Sequence, residues 1–175
     1  MPRLIRNRTI VDDAYALVHE ASTFADLPDG ARVIVPLALW RERRGALIAR
    51  GEAGVWLAST DDPAALADDV DRLPVIAIDF PQFSDGRGYS HARLLRQRYG
   101  YRNELRAIGD VQRDQLYYLS QCGFDAFLVP DSRDANEALR GFDDFSDGYQ
   151  ASVLRTPWFA RRTPSSRPST SEAAP

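Results

Sequence analysis

The chain has 175 residues but only one cysteine, one methionine and two histidines. With Cys122 alone there is no disulfide framework within the chain. A four-cysteine iron–sulfur site is impossible. A structural zinc site is nearly so, since only His19 and His91 could stand beside Cys122. The chain is therefore expected to hold no metal of its own, and any electron handling would need an organic cofactor or a partner's metal. Long apolar runs are also missing. The longest, about Ile34 to Trp40, is followed at once by Arg41, far short of the roughly 20 residues of a membrane span. The opening MPRLIRNRT carries no apolar signal core. The expectation is a soluble cytoplasmic protein in a reducing compartment, with no membrane contact.

Hydrophobic residues make up 44% and charged residues 27% of the chain, a globular balance. The net charge of −3 is unevenly spread. From Gly86 to Arg102 there are five arginines and no carboxylate, a local +5 that leaves −8 over the rest. A basic face on an acidic body suits a defined anion or an acidic protein patch. Nucleic acid ranks low as a partner, because the net charge is negative and aromatics do not interleave the arginines.

Short apolar strands alternate with helices from about residue 31 onward. Strands are expected at Ala31–Val35, Val55–Ala58, Val75–Ile78, Glu104–Ile108 and Asp125–Val129. The turn signal Leu27-Pro28-Asp29-Gly30 precedes the first of them. Helices are expected at Leu37–Arg50 (ended by Gly51), after Asp61-Asp62-Pro63, at Tyr89–Tyr99 (ended by Gly100), from Asp110 to Cys122, and at Asp134–Arg140. Strands apolar on both faces with helical crossovers mark a parallel sheet. The fold class is α/β: a short parallel sheet of about four βα units, either a half-barrel or a small open sheet, with an N-terminal β-containing extension over Arg8–Val18. Residues 1–160 form one domain. The tail 161–175 is rich in Ser, Thr, Pro and Ala and is expected to be disordered. Trp158-Phe159, just before it, is read as a core anchor.

Ligands of parallel α/β sheets bind beyond the carboxyl ends of the strands. Each of the four strands from Val55 onward is followed by a carboxylate: Asp61 and Asp62, then Asp79 and Asp85, then Asp110, then Asp131. Asp62, Asp110 and Asp131 stand where helix caps are expected. Asp79 and Asp85 do not, which makes them, with Asp110, the candidate acid–base residues. In the loop FPQFSDGRGYSHAR, Gly86, Arg87, Gly88, Tyr89 and Ser90 could cradle an anion against backbone N–H groups and a guanidinium; a glycine turn entering a helix is the plain alternative. The spacing is neither a dinucleotide fingerprint nor a P-loop. Ala92, Leu95 and Tyr99 share a face that should pack on the sheet. Arg93 and Arg96 lie on the others, as a solvated basic face or a docking face. Arg113 and Asp114 open the next helix near the same sheet edge. Tyr117 and Tyr118 read as packing residues, His91 as a surface residue within reach of an anion, and Cys122 as a buried, inert thiol.

The stretch Val75–Phe127 resembles a bacterial family known as domain of unknown function 934. The run Asp85–Ser90, the Gly109-Asp110 pair, Arg113-Asp114-Gln115 and Cys122-Gly123-Phe124-Asp125 carry the resemblance. Ala31–Val35 and Pro36-Leu37 resemble it more weakly. The family has no agreed active-site residues, so none is carried over. Its members are typically encoded beside the haem-containing sulfite reductase subunit of sulfate assimilation. The resemblance thus implies an accessory role in sulfite reduction, with that subunit as partner. The residues themselves leave a second reading open: a small enzyme or ligand-binding module taking an anion or a flavin phosphate at Gly86–Ser90. A bound flavin would join the two readings by supplying an electron carrier.

Overall fold

Alternating apolar strands need a layer on each face, and this chain supplies helices for one face and its own curvature for the other. The structure, a computed structural model, describes residues 3–19, 27–28, 30–130, 132–144 and 152–153. Asp131, Trp158-Phe159 and the 161–175 tail lie outside the described residues.

Eight strands form one sheet: β1 (Arg3–Arg6), β2 (Thr9–Val11), β3 (Tyr15–Leu17), β4 (Arg32–Pro36), β5 (Ala53–Leu57), β6 (Val75–Phe80), β7 (Glu104–Gly109) and β8 (Ala126–Val129). The order across the sheet is β2-β1-β8-β7-β6-β5-β4-β3. From β3 to β8 neighbours are parallel, whereas β1 runs antiparallel to β8 and β2 antiparallel to β1. The N-terminal strands are thus part of the sheet rather than an extension beside it. The helices are α1 (Leu37–Arg50), α2 (Arg87–Arg93), α3 (Leu116–Cys122) and α4 (Ala135–Arg140).

Because β3 to β8 lie in sequence order, right-handed crossovers place every helix on the same face. Val33, Val35, Val55, Leu57, Ile76, Ile78, Phe80, Leu105 and Phe127 belong to the large core under the helices. Their alternates Ile34, Val75, Ala77 and Ile108 form a second, smaller cluster on the other face with Tyr15, Leu17, Trp56 and Leu128. That face is concave. Strands β2 and β3 stand at opposite edges, yet only residues 12–14 separate them. Seven interstrand spacings laid flat would span about 34 Å. Four Cα steps reach at most about 14 Å. The sheet must therefore curl, and it is a half-barrel. Inside the curl the guanidinium of Arg106, 1% exposed, bonds Asp13 in the 12–14 link at 2.8 Å and Glu104 at 2.7 Å.

Three expectations need correction. After Asp61-Asp62-Pro63 there is only a single 3-10 turn, Pro63–Leu66, although Asp62 does cap it through the N–H of Ala64. The next residues include Asp68, Asp69 and Asp71, poor helix formers. Buried Asp69 is fixed instead by Trp40 Nε1 and the Arg44 guanidinium of α1. Second, the helix expected from Asp110 starts later, with a 3-10 turn at Arg113–Gln115, and its cap is Gln112, whose N–H donates to Gln115 Oε1 at 2.9 Å. Third, the helix over 89–99 begins at Arg87 and closes in a π turn, Leu94–Arg98, before Gly100 at φ +71°. Helix α1 has the expected bounds, and Gly51 ends it at φ +83°.

Candidate functional site

The carboxyl ends of β5 to β8 open on one edge of the half-barrel, and most of the sequence-derived candidates gather there. Asp79 occupies the last-but-one position of β6, on the face of Val75 and Ala77, at the mouth of the curl. It is half-buried, and no group among the described residues donates a hydrogen bond to it. Burial pushes its carboxyl above the ordinary range, neighbouring Asp85 adds to this, and His19 partly offsets it. The backbone of β7 crosses close by: a Cβ at Gly109 would sit 2.5 Å from Asp79 Oδ1 and 2.4 Å from the Phe80 carbonyl. Only glycine fits there, and its φ of +88° asks for glycine as well.

Asp85 has the opposite environment. Its Oδ1 accepts from Arg87 N at 3.1 Å and Nε at 2.9 Å, and its Oδ2 from the second guanidinium nitrogen at 2.6 Å. Nearby Ser59, itself buried, also favours its ionised form. The Arg87 guanidinium, first among these, holds the Asp85 carboxyl far below the usual range. The N–H and guanidinium that the sequence offered to an anion are thus engaged by Asp85. A phosphate, including that of a flavin, would have to displace that carboxylate. Gly88 serves packing: a Cβ would lie 2.6 Å from Phe80 Cζ, so the glycine lets α2 press onto β6. Tyr89 meets Phe80 edge-on at 5.5 Å and Tyr118 at 5.1 Å, while its hydroxyl accepts from Gln115 Nε2 at 3.1 Å. Ser90 is exposed.

Asp110 is a bridge. It accepts from the Phe83 N–H at 3.1 Å and from Arg133 at 2.9 Å, tying the β6 loop to the β8 loop. The Arg133 contact lowers its pKa. Arg113 donates to the Glu137 carbonyl at 3.2 Å and to Asp144 at 2.7 Å, and Asp114 beside it is exposed. Arg113 and Asp114 line a cavity of about 420 Å³ beyond β7 and β8. The sequence reading missed Ser59, Arg133 and Glu137. Arg133 stands in the loop after β8, where the strand-end rule already pointed.

Two candidates are not brought to this edge. Arg96 bonds the carbonyls of Gly123, Tyr101 and Asn103 and the carboxylate of Asp125, at the amino ends of β7 and β8, with its side chain 8% exposed. Instead of a basic face, it is a buried clamp. Arg93 is half-buried, and the neighbouring thiol of buried Cys122 raises its pKa. His91 is half-buried rather than on the surface; burial lowers its pKa while Asp62 and Asp61 pull the other way, and its Nδ1 has no hydrogen-bond partner among the described residues. Tyr118 is 48% exposed, so it packs only on one side. Among the described residues no three His, Cys, Asp or Glu side chains are grouped to hold a metal ion, and no helix is long and apolar enough to cross a membrane.

Residues 54–159 match the family model described as bacterial protein of unknown function, DUF934. The chain belongs to that family. The match extends the resemblance on both sides of Val75–Phe127 and takes in β5 to β8 with α2 to α4. The DUF934 region therefore contains the carboxyl ends of β5 to β8. No curated protein matches the chain.

Proposed function

We propose that the chain is an accessory protein of assimilatory sulfite reduction that docks on the haem-containing sulfite reductase. Family membership carries this reading, through the pathway association that the family resemblance implies. Surface chemistry supports docking as the mode of action. The three exposed large hydrophobic residues among those described are Phe83, Leu94 and Tyr118. Leu94 falls within the stretch that holds the five arginines of 86–102, Phe83 stands three residues before it, and Tyr118 meets its Tyr89 at 5.1 Å. Arg98 and Arg102 point outward, while Arg87 and Arg96 are spent on Asp85 and Asp125. Aromatic residues and arginine together are the composition of interface centres.

Cells lacking the gene should grow on sulfide or cysteine but not on sulfate or sulfite as sole sulfur source. Phe83→Ser with Tyr118→Ser should fail to restore growth and should no longer co-purify with the reductase, at an unchanged melting temperature. Growth of the deletion strain on all four sources would remove the pathway assignment.

A second reading is favoured by Asp79. A half-buried carboxyl to which no described residue donates a hydrogen bond, beside a carboxylate of opposite pKa shift, is the arrangement of an acid–base site. In this reading the mouth of the half-barrel is a small-molecule site, and Asp79 holds or releases a proton there.

A further inference from the structure

The cavity beyond β7 and β8 has a floor and a rim of different chemistry. Its floor is aliphatic: Val111, Leu116, Val129 and Ala138, each less than 8% exposed. Its volume of about 420 Å³ falls within the usual range for small-molecule sites. Its place, past the carboxyl ends of parallel strands, is where such folds bind ligands.

The rim decides the sign of the ligand. Both guanidiniums on it are neutralised, Arg133 by Asp110 at 2.9 Å and Arg113 by Asp144 at 2.7 Å. The Asp134 carboxylate is occupied too, capping α4 through the Asn136 N–H at 2.8 Å. That leaves the side chains of Asp114 and Glu137, which have no ion pair or hydrogen bond among the described residues. The described chain around it has the same sign: residues 132–144 carry four carboxylates against two arginines. An anion entering here would have to break an existing pair. A cation would meet two unspent negative charges.

We infer that this cavity binds a small organic cation with an apolar body, an aliphatic amine or guanidine, its chain on the Val111–Leu116–Val129–Ala138 floor and its charge toward Asp114 and Glu137. This goes beyond the proposed accessory role and does not depend on it. The site is also separate from Asp79, so a loss of function at one leaves the other intact.

Isothermal titration of the full chain with n-hexylamine, n-hexanoate and ethylamine tests the inference. Hexylamine should bind saturably at one site, and hexanoate should give no saturable heat. Ethylamine should bind at least about tenfold more weakly, because it leaves the floor uncovered. Glu137→Gln and Asp114→Asn are substitutions of exposed side chains and should leave the melting temperature unchanged, yet each should weaken hexylamine about three- to tenfold. Four results would overturn the inference: hexanoate binding as well as the amine, ethylamine binding as well as hexylamine, amine binding indifferent to both substitutions, or no saturable heat with any probe up to about 10 mM.

Discussion

Ionising Asp79 in its place works against the fold, because burial favours the neutral carboxyl. Its folded pKa lies above its unfolded one. Relative to the unfolded chain, the stability associated with this group is therefore full below the unfolded pKa and is lost as pH rises through the folded pKa. Asp79→Asn should raise the melting temperature at neutral pH by a few degrees, and the gain should vanish in an acid series toward pH ~4. If the mouth of the half-barrel is a working site, the same stabilised variant should fail to restore growth on sulfate. An Asn variant that restores growth fully would make the carboxyl dispensable. The legibility of this site in the sequence differs from residue to residue, according to what each one needs. Asp79 stands out because it ends an apolar strand with no helix beside it to cap. The closure of Asp85 on Arg87 is not legible: both residue types suit an anion loop, and only the backbone conformation across Gly86 decides that they satisfy each other. Arg96 shows the same limit. Five arginines in seventeen residues read as a face, but one of them turns inward to satisfy three carbonyls and Asp125.

At the scale of elements, the segment between β5 and β6 depends on one carboxylate. Buried Asp69 accepts from Trp40 Nε1 at 2.9 Å and from the Arg44 guanidinium, and so fastens α1 to a loop where a helix was expected. Asp69→Ala should cost about 2–3 kcal/mol, because Trp40 loses its buried acceptor and Arg44 its partner. The Arg44 contact lowers the Asp69 pKa. Its stabilisation is present above the unfolded pKa and lost as pH falls through the folded value, so the gap between variant and parent should close in acid. Chemical denaturation at pH 7 and at about pH 3 measures both. Helix α1 is legible because its apolar period, its pre-helical proline and its terminal Gly51 agree. The 61–72 segment is not. Asp62-Pro63 is a sound helix start, but a tertiary hydrogen bond at Asp69, invisible in sequence, overrides it. The starts of α2 and α3 differ from expectation for a similar reason: Asp85 and Gln112, each with a local partner, take the terminal N–H groups.

For the whole molecule, alternation of apolar strands with helices predicts a parallel sheet but leaves half-barrel and open sheet equal. The choice lies in the 12–14 link, whose shortness forces the two sheet edges together. That link is invisible in the sequence because Arg3–Arg6, only four residues with arginines at both ends, does not read as a strand. Arg106 holds the curl from inside, joining β7 to Asp13 of the link and to Glu104. Arg106→Met leaves two carboxylates without their shared cation in a covered space, and should cost about 3–5 kcal/mol. Asp13→Asn with Glu104→Gln added to Arg106→Met should recover a large part of that loss. Urea unfolding of the three chains would show whether charge pairing or packing dominates.

The partnership of β1 with β8 also has a consequence for how the protein is made. Arg3 pairs with Val129, so of the eight strands the one synthesised first has its neighbour in the one synthesised last. At about 5–20 residues per second, the wait between them is on the order of 6–25 s. Throughout that interval β3 to β7 can add to one another in order, each to the strand just before it, while the β1–β2 hairpin has nothing to pair with on its inner side. The strand pairing most distant in the sequence is thus the last to become available, and completion of the sheet is timed by synthesis itself.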